Sequence, residues 1–282
     1  MTKSRRGIAS LIIASLIWGT SFPAMKISVS GVGEFTYTWM RATFAIIMLL
    51  PYIFVKRREI DRGIMKAGFL SGLTYAMGIW LQGWGTKFTT ASNSAFITGL
   101  YMVFVHLYVA LMIKRYSPKL SLSLILAISG LYMLARPDLK FNVGDFLVLL
   151  SALFWAANIL IIDRYSDKNP VILTFFEMIP SVLFILPDIS TTGLPSLNLN
   201  QLMVLMYLGF ACSNGATIFQ IYGQRFIEPA SASVIYLLEP VFAAIFSFAL
   251  LGEIMKIHEI VGASLILLAM LVASTEKMIV KS

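Results

Sequence analysis

Ten apolar runs separated by short polar stretches leave this chain one kind of fold. They lie near residues 8–29, 35–55, 66–86, 91–113, 119–135, 144–164, 170–187, 201–222, 230–250 and 257–275. A helix needs about 20 apolar residues to cross the hydrocarbon core of a bilayer, and each run is of that order. The chain has 282 residues, so ten crossings of about 20 leave no room for a folded aqueous domain. Composition agrees. Hydrophobic residues make up 58% and charged residues 13%, and the mean hydropathy is +0.83. Soluble domains carry about a quarter charged residues, so an ordinary soluble enzyme is excluded. The expected fold is an all-α integral membrane protein with ten transmembrane helices.

The net charge of +8 is read as an insertion signal and not as a nucleic-acid surface, because the basic residues sit in short loops between apolar runs. With a cytoplasmic N-terminus, sixteen of them fall inside: Lys3, Arg5, Arg6, Lys56, Arg57, Arg58, Arg62, Lys66, Lys114, Arg115, Lys119, Arg164, Lys168, Arg225, Lys277 and Lys281. Four fall outside: Lys87, Arg136, Lys140 and Lys256. That asymmetry predicts a multi-pass protein of the cytoplasmic membrane with both termini in the cytoplasm. The start of the chain, Lys3, Arg5 and Arg6 before an apolar run, lacks a small-x-small cleavage site and is expected to be an uncleaved first span. Residues Pro187 to Asn200, with Asp188, Thr191, Thr192, Gly193 and Pro195, read as a loop. The lone Cys212 cannot pair within the chain.

A five-span unit occurs twice. Trp18 aligns with Trp155, and the second window of each half ends in proline, Pro51 and Pro187. Gln82, Lys87, Phe88, Val103 and Phe104 face Gln220, Arg225, Phe226, Val241 and Phe242 at a constant offset of 138. Because five is odd, the halves at 8–135 and 144–275 are expected to enter the membrane in opposite directions. Inverted repeats of this kind characterise secondary transporters, whose substrate lies between the repeats near the midplane.

Trp18-Gly19-Thr20-Ser21-Phe22 with Lys26, Arg41 with Ala42 and Ala45, and Leu238-Glu239-Pro240-Val241-Phe242 running on to Leu250-Leu251-Gly252-Glu253 resemble the EamA family of the drug/metabolite transporter superfamily. The resemblance covers about residues 8 to 275. It implies a ten-helix carrier working by alternating access, often an exporter of amino acids, other metabolites or drugs. Met102 and Ile113-Lys114 stand where that family usually has proline and a Gly-Glu ending, so no helix break is expected in the fourth span.

Ionisable groups inside a membrane cost about 2.5–3.5 kcal/mol each on insertion scales, so each needs a reason. Glu239 precedes Pro240 in the middle of the ninth window, and proline removes a backbone donor there. It is read either as a substrate or coupling-proton residue or as a neutral packing group. His106 is read as a second proton candidate or as a satisfied core histidine. Arg41 and Glu177 occupy corresponding places in the two repeats and are expected to be structural charges that pair or, for Arg41, snorkel. Lys26 is expected to snorkel, and His258 and Trp84 to be interfacial. Trp18, Trp80, Tyr101, Trp155, Asn158, Asn214 and Tyr236, with His106 and Glu239, are candidates for an aromatic, polar-spotted cavity, packing being the competing role for each.

The sequence has no phosphate-binding Gly-x-x-x-x-Gly-Lys loop, no His-Glu-x-x-His, no Gly-x-Ser-x-Gly elbow, and one cysteine with two distant histidines. Neither a catalytic centre, a metal nor a cofactor is expected. The leading expectation is a secondary transporter of small organic metabolites such as amino acids or related amphipathic solutes, with protons as candidate coupling partners, as monomer or homodimer. A nucleotide-sugar or lipid-type carrier of the same fold, and an intramembrane enzyme, are the rivals.

Overall fold

The computed structural model describes residues 3–89, 91–113, 117–135, 142–191, 193, 195–251 and 256–275. Lys114, Arg115, Arg136, Lys140, Thr192, Gly252, Glu253, Lys277 and Lys281 lie outside the described residues, as does the side chain of Lys26.

The described residues form ten helical spans. They are α1 (Lys3–Gly19 and Ser21–Val32), α2 (Glu34–Lys56), α3 (Arg62–Phe88), α4 (Ala91–Gly99, Tyr101–Tyr108 and Val109–Ile113) and α5 (Pro118–Ala135). The second half repeats them as α6 (Val143–Tyr165), α7 (Pro170–Val182 and Ile185–Thr191), α8 (Leu199–Tyr207, Leu208–Gly215 and Ala216–Gln224), α9 (Pro229–Tyr236 and Leu238–Leu251) and α10 (Ile257–Ser274). Among the described residues six helices are long and apolar enough to cross a membrane, and three shorter apolar ones accompany them. Large apolar side chains such as Phe54, Val55, Leu111 and Met112 face outward, which suits a lipid surround and not water.

Helix ends are capped where spans begin. Asp61 accepts from the Ile64 amide at 2.7 Å to start α3, and Asn142 forms a reciprocal box with Asp145 to start α6. Asn169 caps α7 ahead of Pro170, and Asn198 with Gln201 boxes the start of α8. Gly33, at φ 86°, makes the turn from α1 to α2, a conformation that glycine adopts without penalty.

The inverted repeat is visible in the packing. In the first half α1 lies on α8 and α9, and its counterpart α6 lies on α3 and α4; α2 meets α7 and α8 while α7 meets α2 and α3. The last helices of the halves, α5 and α10, pack on each other. The crossings depend on matched glycines. A Cβ on Gly72 would stand 2.5 Å from the Glu177 carbonyl oxygen, and one on Gly209 would stand 2.6 Å from that of Arg41. Gly85 abuts the Gly144 carbonyl oxygen and Val148, and Gly223 abuts the Gly7 carbonyl oxygen and Leu11. Each pair is offset by about the sequence repeat, so two half-bundles meet through the same backbone contacts. Small residues let membrane helices approach this closely.

Three features were not expected from the sequence. The fourth span does break, at Leu100, just as the ninth breaks at Leu237. Both turns tighten: the Leu100 amide donates to Ile97 and the Leu237 amide to Val234, three residues back. The breaks also touch, since a Cβ on Gly99 would come within 3.1 Å of the Leu237 side chain. Proline is therefore not required; Met102 tolerates a break held by this crossing. Residues 187–191 are helical and not loop, being part of Ile185–Thr191, because buried Asp188 accepts hydrogen bonds from Thr36 and Trp39, each at 2.7 Å, and pins this turn to α2. Finally, α8 widens to π geometry over Leu208–Gly215. Carbonyls of that stretch take donors from other helices: Cys212 from the Trp18 indole at 3.1 Å, and Leu208 from Arg41 at 3.5 Å.

Candidate functional site

The halves enclose a cavity of about 570 Å3, its open mouth included. Its aromatic walls come from both sides: Trp18 on α1 packs edge-on to Tyr236 on α9 at 5.5 Å, and Trp155 on α6 packs edge-on to Tyr75 on α3 at 5.4 Å. Ile79 and Ile159 complete the apolar part. The helix breaks deliver the next pair. Tyr101 follows the break at Leu100 and Glu239 follows the break at Leu237, and both line the cavity at equivalent places in the repeats.

Polar groups are few and unequally satisfied. Gln82 donates to Thr98 at 3.0 Å, and Gln220 donates to Asn158 at 3.4 Å and Gln224 at 3.2 Å. Arg41 is buried, with Nε donating to the Ser213 hydroxyl at 3.0 Å and Nη1 to the Tyr37 hydroxyl. Its guanidinium also lies over the Tyr37 ring, 5.2 Å from the centroid. Tyr75 donates to the same Ser213 oxygen at 2.9 Å. Glu239 is half-buried and makes no hydrogen bond or ion pair to any described residue. A partnerless carboxyl on a broken helix, facing a cavity, is placed to meet a proton, a cation or an amine.

Of the residues singled out from the sequence, Trp18, Tyr101, Trp155, Tyr236 and Glu239 come together on this cavity. Asn158 lies one hydrogen bond behind it, through Gln220. The other candidates stand apart from the lining. Trp80 stacks in a separate cluster with Phe35, Trp84 and Phe184 at centroid distances of 5.7, 5.3 and 5.2 Å. His106 is buried against the Ala230 carbonyl at 3.1 Å. Asn214 donates to the Ala45 carbonyl at 2.9 Å and ties α8 to α2. His258 contacts the Met133 carbonyl at 3.0 Å, joining α10 to α5.

Arg41 and Glu177 do not pair with each other among the described residues. Glu177 is fully buried and accepts from Asn158 at 2.8 Å, while its second oxygen has no hydrogen-bond partner among the described residues. The two residues occupy matching backbone positions at different crossings, which is why symmetry keeps them apart. Arg41 instead lines the cavity, with Ser21, Tyr37, Tyr75, Gln82, Thr98 and Gln220. Tyr37 stands one helical turn before Arg41, and Gln82 and Gln220 recur at the repeat offset; those spacings were the available signals. No cluster of three metal-ligating side chains occurs among the described residues.

Comparison with known proteins places the fold in a family. The EamA-like transporter family profile matches twice, over residues 5–136 and 142–275. An uncharacterized transporter of Archaeoglobus fulgidus is 34% identical over 267 residues, covering 94% of this chain and 84% of that one. Uncharacterized transporter YoaV of Bacillus subtilis is 21% identical over 280 residues, with 94% of each chain covered. A solved crystal structure superposes with a TM-score of 0.78 at 16% identity, covering 95% of this chain and 96% of the other, which speaks to fold alone. The chain belongs to the EamA-like transporter family, a multi-pass membrane transporter family and not an enzyme family.

Proposed function

We propose that this member of the EamA-like transporter family carries amino acids or related amphipathic organic solutes across the cytoplasmic membrane, as an exporter with both termini in the cytoplasm. The observation that carries the reading is Glu239: a carboxyl without a partner among the described residues, at a helix break, in an aromatic cavity between the two halves. Rings from both halves suit a flat or aliphatic side chain, and the few polar groups suit a small polar head. Rocking of the halves about this cavity opens it to either face in turn. Glu239 then meets, in alternation, a proton from water and the amine of the solute. That makes it a better coupling residue than His106, whose ring is buried against a backbone carbonyl. A carrier of nucleotide sugars or phospholipid headgroups needs several cations around a diphosphate or phosphate, and Arg41 is the sole cation among the described lining residues.

The test is reconstitution into liposomes that hold a pH dye, with amino acids and cationic drugs supplied outside and radiolabelled uptake following any hit. Solute-dependent proton movement is expected with wild-type protein and its loss with Glu239→Gln. Solute uptake that moves no protons and is unchanged in Glu239→Gln assigns a facilitator and returns Glu239 to packing.

A further inference from the structure

We propose that Arg41 is the anion-binding pole of this cavity and holds a carboxylate of the transported solute, so that the carrier selects carboxylate-bearing, zwitterionic solutes over amines that lack one. This inference rests on the reading of the cavity as the transport site and adds the chemistry that chooses the cargo. A guanidinium keeps its charge in any protein environment, and a buried cation in a membrane protein requires compensation. The partners of Arg41 are all neutral: the Tyr37 hydroxyl, the Ser213 hydroxyl and, at 3.5 Å, the Leu208 carbonyl. No described carboxylate forms an ion pair with it, Glu177 being engaged by Asn158 and Glu239 by nothing. Five N–H donors in a rigid fork serve three acceptors, which leaves donors for a group in the cavity that Arg41 borders.

The side chain is held for that task from two sides. Ser213 accepts from both Arg41 and Tyr75, so its oxygen is committed as an acceptor, and the Tyr37 hydroxyl accepts from Nη1. A fastening role between α2 and α8 does not explain a charge here. That crossing is already closed by Gly209 against the Arg41 carbonyl and by Asn214 on the Ala45 carbonyl. With Glu239 contributed by the other half, the cavity presents one fixed cation and one carboxyl among aromatic rings. An ammonium, a carboxylate and an apolar side chain on one small molecule match those three surfaces.

The experiment measures binding of four probes to purified full-length protein in detergent: phenylalanine, phenylethylamine, 3-phenylpropionate and phenyl phosphate. In the wild type, phenylalanine is expected to bind at least about tenfold more tightly than phenylethylamine, the size of one charge-assisted contact. Arg41→Gln is expected to erase that difference while phenylethylamine stays within about twofold. Arg41→Lys, which keeps the charge without the fork, is expected to fall between. A merely structural arginine would weaken all probes together and lower thermal stability in step. The wild-type series decides the matter even where a variant fails to fold. Phenylethylamine binding as tightly as phenylalanine overturns the assignment to Arg41 and leaves the transport cavity standing. Phenyl phosphate displacing phenylalanine more strongly than 3-phenylpropionate does makes this a phosphate site and also overturns it. If neither these probes nor any of the twenty amino acids binds, the cavity reading itself fails, and the proposal with it.

Discussion

The two halves of this transporter share a frame and differ in what they hang on it. Gly72 and Gly209 close matching helix crossings against the backbones of Glu177 and Arg41. Trp18 and Trp155 wall the same cavity, and both halves break one helix at corresponding leucines. At equivalent positions the side chains diverge: Arg41 against Glu177, Tyr101 against Glu239, Tyr75 against Ser213. Backbone crossings tolerate no variation, since a carbonyl at 2.5 Å has nowhere to go. Side chains facing a cavity or a polar pocket are free to vary. An inverted repeat therefore gives symmetric mechanics while leaving room for an asymmetric, charged site.

Substitutions that treat the halves alike probe the frame, and the largest effect belongs there. Gly72→Ala and Gly209→Ala each force a methyl against a backbone oxygen and are expected to cost about 1–3 kcal/mol, with the valine variants failing to give monodisperse protein. Thermal unfolding in detergent checks this, and clearly unequal losses would break the symmetry argument.

Next come the charges, where the halves should behave unlike each other. Arg41→Gln is expected to remove carboxylate selectivity, whereas Glu177→Gln should leave uptake intact and stability unchanged within about 1 kcal/mol, because an amide oxygen still accepts from Asn158. Lost uptake in Glu177→Gln would show that the buried carboxyl, and not the cavity alone, serves transport.

A smaller effect is expected at the point where the halves touch through Tyr75 and Ser213. Tyr75→Phe should cost about 1 kcal/mol and Ser213→Ala more, because it also releases Arg41 Nε, and the double variant should cost less than the sum, since both remove one shared bond. Additive losses would mean that the bond contributes nothing.

The smallest effect lies at the helix starts, where Asp61 caps α3 and Asn198 caps α8 at matching positions. The Ile64 amide holds the Asp61 carboxyl below its usual range, burial opposing it and Lys168 adding a lesser pull in the same direction. A lowered folded-state value means that the contribution is present above the unfolded value and lost as pH falls through the lowered one. Asp61→Ala should therefore give a slight loss of melting temperature at neutral pH that fades in acid, while the loss from Asn198→Ala is the same at both. A pH-independent Asp61→Ala would show that its carboxylate form is irrelevant to the cap.

Much of this was legible beforehand. The apolar run at 35–55 became Glu34–Lys56 and that at 144–164 became Val143–Tyr165, because the length of hydrocarbon to be crossed is a one-dimensional demand on sequence. The offset between Trp18 and Trp155 and between Gln82 and Gln220 announced the repeat. Glu239 announced itself as a carboxyl that a membrane tolerates only for cause. The break at Leu100 was not legible, since it is held by a crossing at Gly99 and not by a proline in its own chain. Nor was the aromatic stack that draws Trp80 away from the cavity.

The sequence by itself determined the number of spans, the antiparallel duplication and the family, since hydropathy, offset and motif are properties of neighbours along one chain. Only the tertiary structure decided who meets whom. Arg41 and Glu177 hold matching positions yet never pair, because a two-fold axis sends them to different crossings. Arg41 reaches Ser213 and Tyr37 at the cavity, and Glu177 is closed in beside Asn158. A buried charge needs compensation, and whether it comes from a near neighbour such as Tyr37 or from Ser213, 172 residues away, is fixed by helix packing.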